Sequence, residues 1–198
     1  MASLPFRNMT TFFGIQQQSS PFVLVTGNAG KIAEARLAVG ADLEAVEVDL
    51  PEIQSLDYLE VLRAKAEEAW RRIGRPLVVE EAGLDLAVLN GFPGPLVKWM
   101  LQAVDAEGIA RTAASLGDVR ASARCFLLYK DGDREVLAEG RTDGTLVLPG
   151  RGTHGFGWDP VFLPDGSALT FAELTGSEKG AVSHRGKAWR NLAGLLPL

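Results

Sequence analysis

The stretch Val23-Leu24-Val25-Thr26-Gly27-Asn28-Ala29-Gly30-Lys31 constrains the chain more than any other. An apolar run that reads as a buried strand stops at Gly27-Asn28, and a helical pattern (Ile32, Ala35, Arg36, Val39) begins at once. A strand that feeds a helix through a tight polar turn points the first free N–H groups of that helix, and the positive end of its dipole, at whatever sits above the turn. An anion fits there. Lys31 adds a mobile positive charge. The turn is not a Walker A loop, which would place Gly at Val25 and Ser or Thr at Ile32. The same residues suit an ordinary strand–turn–helix junction, so phosphate binding here needs support from the rest of the chain.

A chain of 198 residues, 46% hydrophobic, can bury a sizeable core. It holds no apolar run near the roughly 18 residues that would cross a bilayer, so neither a membrane nor, at a formal charge of −5, a nucleic acid is expected as a partner. An anionic small molecule fits only where basic side chains converge. Cys125 is the one cysteine. It reads as a small buried hydrophobe compatible with a reducing, cytoplasmic setting. Residues 1–20, with Arg7 as their only charged side chain, read as a flexible or disordered tail; organelle targeting by them stays open. Residues 21–198 read as a single α/β unit, with no repeat or linker dividing them.

Along the chain, Glu44 to Leu50 alternates like a half-exposed strand and ends at Pro51-Glu52, which puts Glu52 at a strand end. From Asp57 to Ile73, Leu59, Leu62, Ala66, Ala69, Trp70 and Ile73 mark a long amphipathic helix. Lys65 flanks that stripe, either as a surface lysine covering it or as one that reaches a site at the sheet edge. Pro76-Leu77-Val78-Val79 then runs into Glu80-Glu81 and Ala82-Gly83. Successive strand residues face opposite sides, so one acid meets solvent or a salt bridge and the other a crevice at the strand end, unless both are simply solvated. Leu96 to Leu101 and Asp105 to Leu116 read as helical pieces. Arg120–Tyr129 and Arg134–Arg141 read as a hairpin, and Gly144–Leu148 as a further strand.

The passage Pro149 to Pro160 is glycine-rich and carries Phe156, Gly157, Trp158 and Asp159. It offers either a stacking face for a flat ring or core aromatics in an irregular loop. Glu178 to Leu196 closes the chain as one helix, with Lys179, His184 and Arg185 near its start. Positive charge in the first turns opposes the helix dipole, which favours a functional reason for those residues.

Taken in order, Thr26-Gly27-Asn28-Ala29-Gly30-Lys31 with Glu34, Leu50-Pro51-Glu52, Lys65, Val79-Glu80-Glu81, Gly91-Phe92-Pro93-Gly94-Pro95 with Lys98-Trp99, Phe156-Gly157-Trp158-Asp159-Pro160, and Glu178-Lys179 through Ser183-His184-Arg185 resemble the Ham1-like inosine triphosphate pyrophosphatase family. The resemblance implies an α/β fold with a central mixed sheet flanked by helices, two lobes with a cleft between them, and a homodimer. It also implies Mg²⁺-dependent hydrolysis, with Mn²⁺ as an alternative ion, of ITP, dITP or XTP to the monophosphate and pyrophosphate. On the same resemblance, Thr26, Gly27, Asn28, Ala29, Gly30 and Lys31 would hold the triphosphate, with Lys65 adding charge. Glu52 and Glu81 would bind metal. Glu81 would be the catalytic carboxylate, with Lys31 beside it. Lys98, Phe156, Gly157, Trp158, Asp159, Lys179, His184 and Arg185 would enclose sugar and base.

The chain departs from the family at Glu81, where the usual residue is Asp. Mg²⁺ prefers near-octahedral oxygens at about 2.0–2.1 Å, so an extra methylene leaves a second reading, a purine-nucleotide-binding module without turnover. The chemistry otherwise suits the residues: lysines, an arginine and a divalent cation neutralise the triphosphate, and a carboxylate deprotonates water for attack at the α-phosphorus. Donors aimed at the C6 carbonyl of inosine or xanthine would be left unpaired against the amine of ATP.

Overall fold

Within residues 21–40 and 42–196, which this computed structural model describes, a seven-stranded mixed sheet carries five helices. The expected tail, residues 1–20, lies outside them. The first strand, β1 (Val23–Val25), is followed by α1 (Ala29–Val39), β2 (Ala45–Val46), α2 (Tyr58–Ile73), β3 (Leu77–Leu86), β4 (Pro93–Gly94) and α3 (Val97–Ser115). The chain continues through β5 (Arg120–Asp131), β6 (Arg134–Leu146), β7 (Phe162–Pro164), α4 (Gly176–Val182) and α5 (His184–Leu195). Along the sheet the order is β2-β1-β3-β5-β6-β7, with β4 on β3; β2, β1 and β3 are parallel and the remaining pairs antiparallel. Among the described residues no helix is long and apolar enough to cross a membrane.

Period-two alternation decides which face each strand residue serves. Leu24, Val78, Cys125 and Leu127 pack with Trp189 and Leu192 under α1 and α5, whereas Val23, Val25, Leu77, Val79 and Leu128 pack with Leu62, Ala66 and Ala69 of α2. A third cluster, around Leu84, Leu86, Ile109, Leu146, Phe162 and Phe171, forms the core of a second lobe under α3. Cys125 is fully buried in mid-strand, as its neighbours led us to expect.

Four element boundaries differ from the sequence reading. The strand expected over Glu44–Leu50 shrinks to Ala45–Val46: β1 is three residues long and pairs it only at Leu24 and Val25, so the chain leaves the sheet as irregular backbone. By contrast β3 runs on past Glu81 to Leu86, because β5 pairs it without a break from Leu77↔Lys130 to Leu86↔Ala121. Gly144–Leu148 is not a separate strand; β6 continues unbroken opposite β5 to Leu146. The closing helix is two helices, parted at Ser183, whose extended backbone (φ −71°, ψ 155°) ends α4 while its hydroxyl caps α5 by accepting the Gly186 N–H at 3.1 Å. Lys179 therefore stands in the last turn of α4, where positive charge suits the dipole, and only His184 and Arg185 open a helix.

α5 lies directly on β6 because Gly140 has no side chain there. A β-carbon at 140 would run into the His184 carbonyl and the Ala188 amide, backbone atoms that cannot swing aside. Gly140→Ala is expected to cost about 1–3 kcal/mol as overpacking, read as a lower denaturant midpoint at unchanged slope.

Candidate active site

The turn after β1 is built as a helix start. Asn28 caps α1, its side-chain oxygen accepting the Lys31 N–H at 3.1 Å, while its own N–H donates to Thr26 Oγ1 at 3.2 Å. With the cap in place, Lys31 leaves α1 toward β3 and its Nζ lies 3.1 Å from Glu80 Oε1. Gly30 is required by contact: a β-carbon there would sit 2.6 Å from the Phe156 ring. That aromatic ring also carries Lys179 Nζ at 5.0 Å and Arg185 Cζ at 5.3 Å from its centroid.

Glu80 and Glu81 lie on opposite faces of β3, both buried. On the α5 face, Arg185 donates to Glu80 from Nε and Nη2 at 3.0–3.1 Å and from Nη1 to Glu34 Oε2 at 2.6 Å. Burial works to raise the Glu80 carboxyl, but Arg185 and then Lys31 hold it at about 2. Glu34 in turn accepts from Lys179 at 2.6 Å, and Lys179 donates to Asp159 at 2.5 Å. On the α2 face, Lys65 Nζ donates to Glu81 Oε2 at 2.6 Å and lies 3.3 Å from Glu52 Oε1. Burial works to lower the Lys65 ammonium, but Glu81 and Glu52 outweigh it and raise it above its ordinary value. Burial works to raise Glu52 as well; Lys65, with Lys98 and Lys31, brings it below the usual carboxylate range.

Glu52, Lys65, Glu81 and Arg185 open on one cleft of about 610 Å³, within the range of small-molecule sites. Thr26, Gly27, Asn28, Lys31, Glu52, Lys65, Glu81, Lys98, Phe156, Gly157, Trp158 and Arg185 all line it. Ala29, Gly30, Asp159, Lys179 and His184 do not. Asp159 and Lys179 are buried behind the wall, Asp159 taking the Phe156 N–H at 2.7 Å and so holding that loop. His184 is buried between Trp158 and Phe171, with ring centroids 6.3 and 5.9 Å away. Burial, then Arg185 and Lys179 nearby, push its imidazole well below the usual range, so it is neutral. Among the described residues both of its ring nitrogens, and Trp158 Nε1, have no hydrogen-bond partner.

Sequence reasoning missed Glu47, Ile53, Gln54 and Gln102, which also line the cleft. Gln54 accepts from Trp99 Nε1 and so ties the irregular segment after β2 to α3 across the mouth. The sequence assigns Glu34 no role, although its place three residues after Lys31 sets both on one face of α1.

The cleft thus joins a helix-capped turn, a carboxylate pair sharing one cation, and an aromatic wall. A model of the Ham1 family matches residues 22–195. An inosine triphosphate pyrophosphatase of Aspergillus oryzae is 38% identical over 173 residues, 85% of this chain and 90% of that protein. One of Puccinia graminis f. sp. tritici is 36% identical over 177 residues, 84% and 91% of the two chains. A HAM1 protein of Coxiella burnetii superposes with a TM-score of 0.75 at 27% identity, covering 88% of this chain and 96% of that one. The matched span takes in the sheet, the turn and every wall of the cleft, and by it this chain belongs to the Ham1 family.

Proposed function

We propose that the chain hydrolyses non-standard purine nucleoside triphosphates (ITP, dITP and XTP) at the α–β phosphoanhydride, releasing monophosphate and pyrophosphate and so cleaning the nucleotide pool. One observation carries the reading: the anion-binding turn, the Glu52–Glu81 pair and the Phe156–Trp158 wall share a single cleft. The names of the fungal relatives support the substrate class.

Whether the acids suit a divalent ion is tested by Lys65, whose ammonium lies within 3.3 Å of both carboxylates, so they converge on a place for one cation. Among the described residues no group of three or more His, Cys, Asp or Glu side chains could hold a metal alone. Two carboxylates completed by substrate phosphate oxygens is the Mg²⁺ pattern, and Mn²⁺ fits it too. Bound there, the cation supplies positive charge for the leaving pyrophosphate.

The chain's own groups do the rest. The N–H groups that open α1 and the Lys31 ammonium bind phosphate oxygens. Glu81 orients the attacking water and takes its proton. Phe156 and Trp158 cover the base, and Arg185, fixed by Glu80 and Glu34, keeps guanidinium N–H groups free for an acceptor. Those two guanidinium N–H groups suit the C6 carbonyl of inosine and leave the amine of ATP facing donors. The binding-only reading of Glu81 is not favoured, because its extra methylene leaves the carboxylate sharing Lys65 with Glu52. A homodimer belongs to the proposal on the family resemblance; a reducing cytoplasmic setting suits the buried Cys125.

Incubation with ITP and MgCl₂ is expected to release inosine monophosphate and pyrophosphate in equal amounts, and to stop on chelation. ATP is expected to react on the order of a hundredfold more slowly, from two unpaired donors at about 1–3 kcal/mol each. Orthophosphate as the sole primary product would overturn the assignment.

A further inference from the structure

Lys65 occupies the place that the metal reading reserves for a cation. From the buried stripe of α2 its Nζ reaches Glu81 Oε2 at 2.6 Å, the Glu80 carbonyl at 3.3 Å and Glu52 Oε1 at 3.3 Å. Lys98 adds a looser contact to the other Glu52 oxygen at 3.6 Å. Glu52 and Glu81 are therefore already paired.

The four basic side chains of the cleft wall are Lys31, Lys65, Lys98 and Arg185. The wall also carries Glu47, Glu52 and Glu81, and directly behind it Glu80 and Glu34 are paired to Lys31 and Arg185. Four positive charges meet five negative ones, so a bare triphosphate, with roughly four negative charges of its own, finds no surplus of positive charge.

We infer that Lys65 is the resting counter-ion of the Glu52–Glu81 pair: it keeps the cation position filled until nucleotide and divalent ion enter together, then transfers its ammonium to the phosphates. This rests on the reading of the cleft as a nucleoside triphosphate site. Two consequences follow. The ion alone binds weakly, and the form of the substrate that the cleft accepts is the nucleotide–metal complex. Removing the ammonium leaves the two carboxylates with only the looser Lys98 contact to Glu52, a repulsion that a divalent ion relieves.

The test uses Mn²⁺ alone, without nucleotide, titrated into the full chain while the free-ion electron paramagnetic resonance signal is followed. Lys65→Met is expected to bind Mn²⁺ at least about tenfold more tightly than the wild type, and Lys65→Arg to stay as weak as the wild type. Lys65→Gln, uncharged but polar, serves as a second variant if Lys65→Met does not fold, with circular dichroism as the check. Equal affinity in the wild type and the folded uncharged variants would sink the inference, as would tight Mn²⁺ binding by the wild type alone. The ITP assay is independent of this result. A gain in Mn²⁺ affinity in a chain that leaves ITP intact upholds the counter-ion role and removes the hydrolase; hydrolysis without the gain does the reverse.

Discussion

Glu81→Gln is expected to lower kcat for ITP by about 10³-fold, within the range for loss of a positioned general base, with KM moving by less than about threefold. The asymmetry follows from where the side chain sits. Residue 81 is held in mid-strand by its pairing with Phe126 of β5, so an isosteric amide leaves the backbone in place. What disappears is the negative charge beside Lys65 and, on the proposed mechanism, the group that would accept the proton of water. The turn from Thr26 to Lys31 and the wall of Phe156 and Trp158 are untouched, and on the same proposal these would carry binding in the ground state. Glu81→Asp keeps the carboxylate but draws it back from Lys65, so its kcat falls between those of the wild type and the amide. Steady-state pyrophosphate release over a range of ITP concentrations reads both constants. A kcat for Glu81→Gln within tenfold of the wild type would remove Glu81 from proton transfer and leave its role as charge alone.

Alternation did not say which of Glu80 and Glu81 meets the cleft, and Glu81 was named on the family resemblance; that the two face opposite sides could be read from the sequence, because alternation along β3 is a local property. The turn before α1, the stripe of α2 and the β5–β6 hairpin were legible for the same reason, each being set by residues within a few positions of one another. Partnerships were not. Lys179 finds Glu34 across 145 residues and Arg185 finds Glu80 across 105, and no spacing in the chain announces either pair. This is why Lys179 and Asp159 were expected to touch the nucleotide, whereas they pair with each other behind the wall. Beyond Ala45–Val46 the segment that brings Glu47, Glu52 and Gln54 to the cleft is irregular, so the strand-like alternation of Glu44–Leu50 put Glu52 at a strand end but gave no place to Glu47 or Gln54. The break at Ser183 did leave a sign, a good capping residue just before a helical run, but the apolar stripe continuing to Leu196 masked it.

Arg185→Met is expected to destabilise the fold by about 3–5 kcal/mol, the range for breaking a buried ion pair by removing one partner, a fall in melting temperature of roughly 10 °C for a chain of this size. The arginine is 2% exposed and serves two acids at once, so its loss leaves Glu80 to Lys31 and Glu34 to Lys179. The double variant Glu80→Leu with Arg185→Met is expected to recover part of the loss, since an uncompensated charge costs more than an apolar pair. The acid side of the stability curve reports on the same contact. Glu80 titrates at about 2 in the fold against an ordinary 4.5, so it contributes about 3 kcal/mol. The shift is downward, so that stability is present in full above pH 4.5 and is lost as pH falls toward 2. The stability difference between the wild type and Glu80→Gln is therefore level from neutral pH down to about 5, then narrows steadily to near zero at about pH 2. Urea melts at half-unit pH steps measure it, and a difference that stayed level down to pH 3 would show that the arginine on Glu80 does not hold that carboxylate ionised.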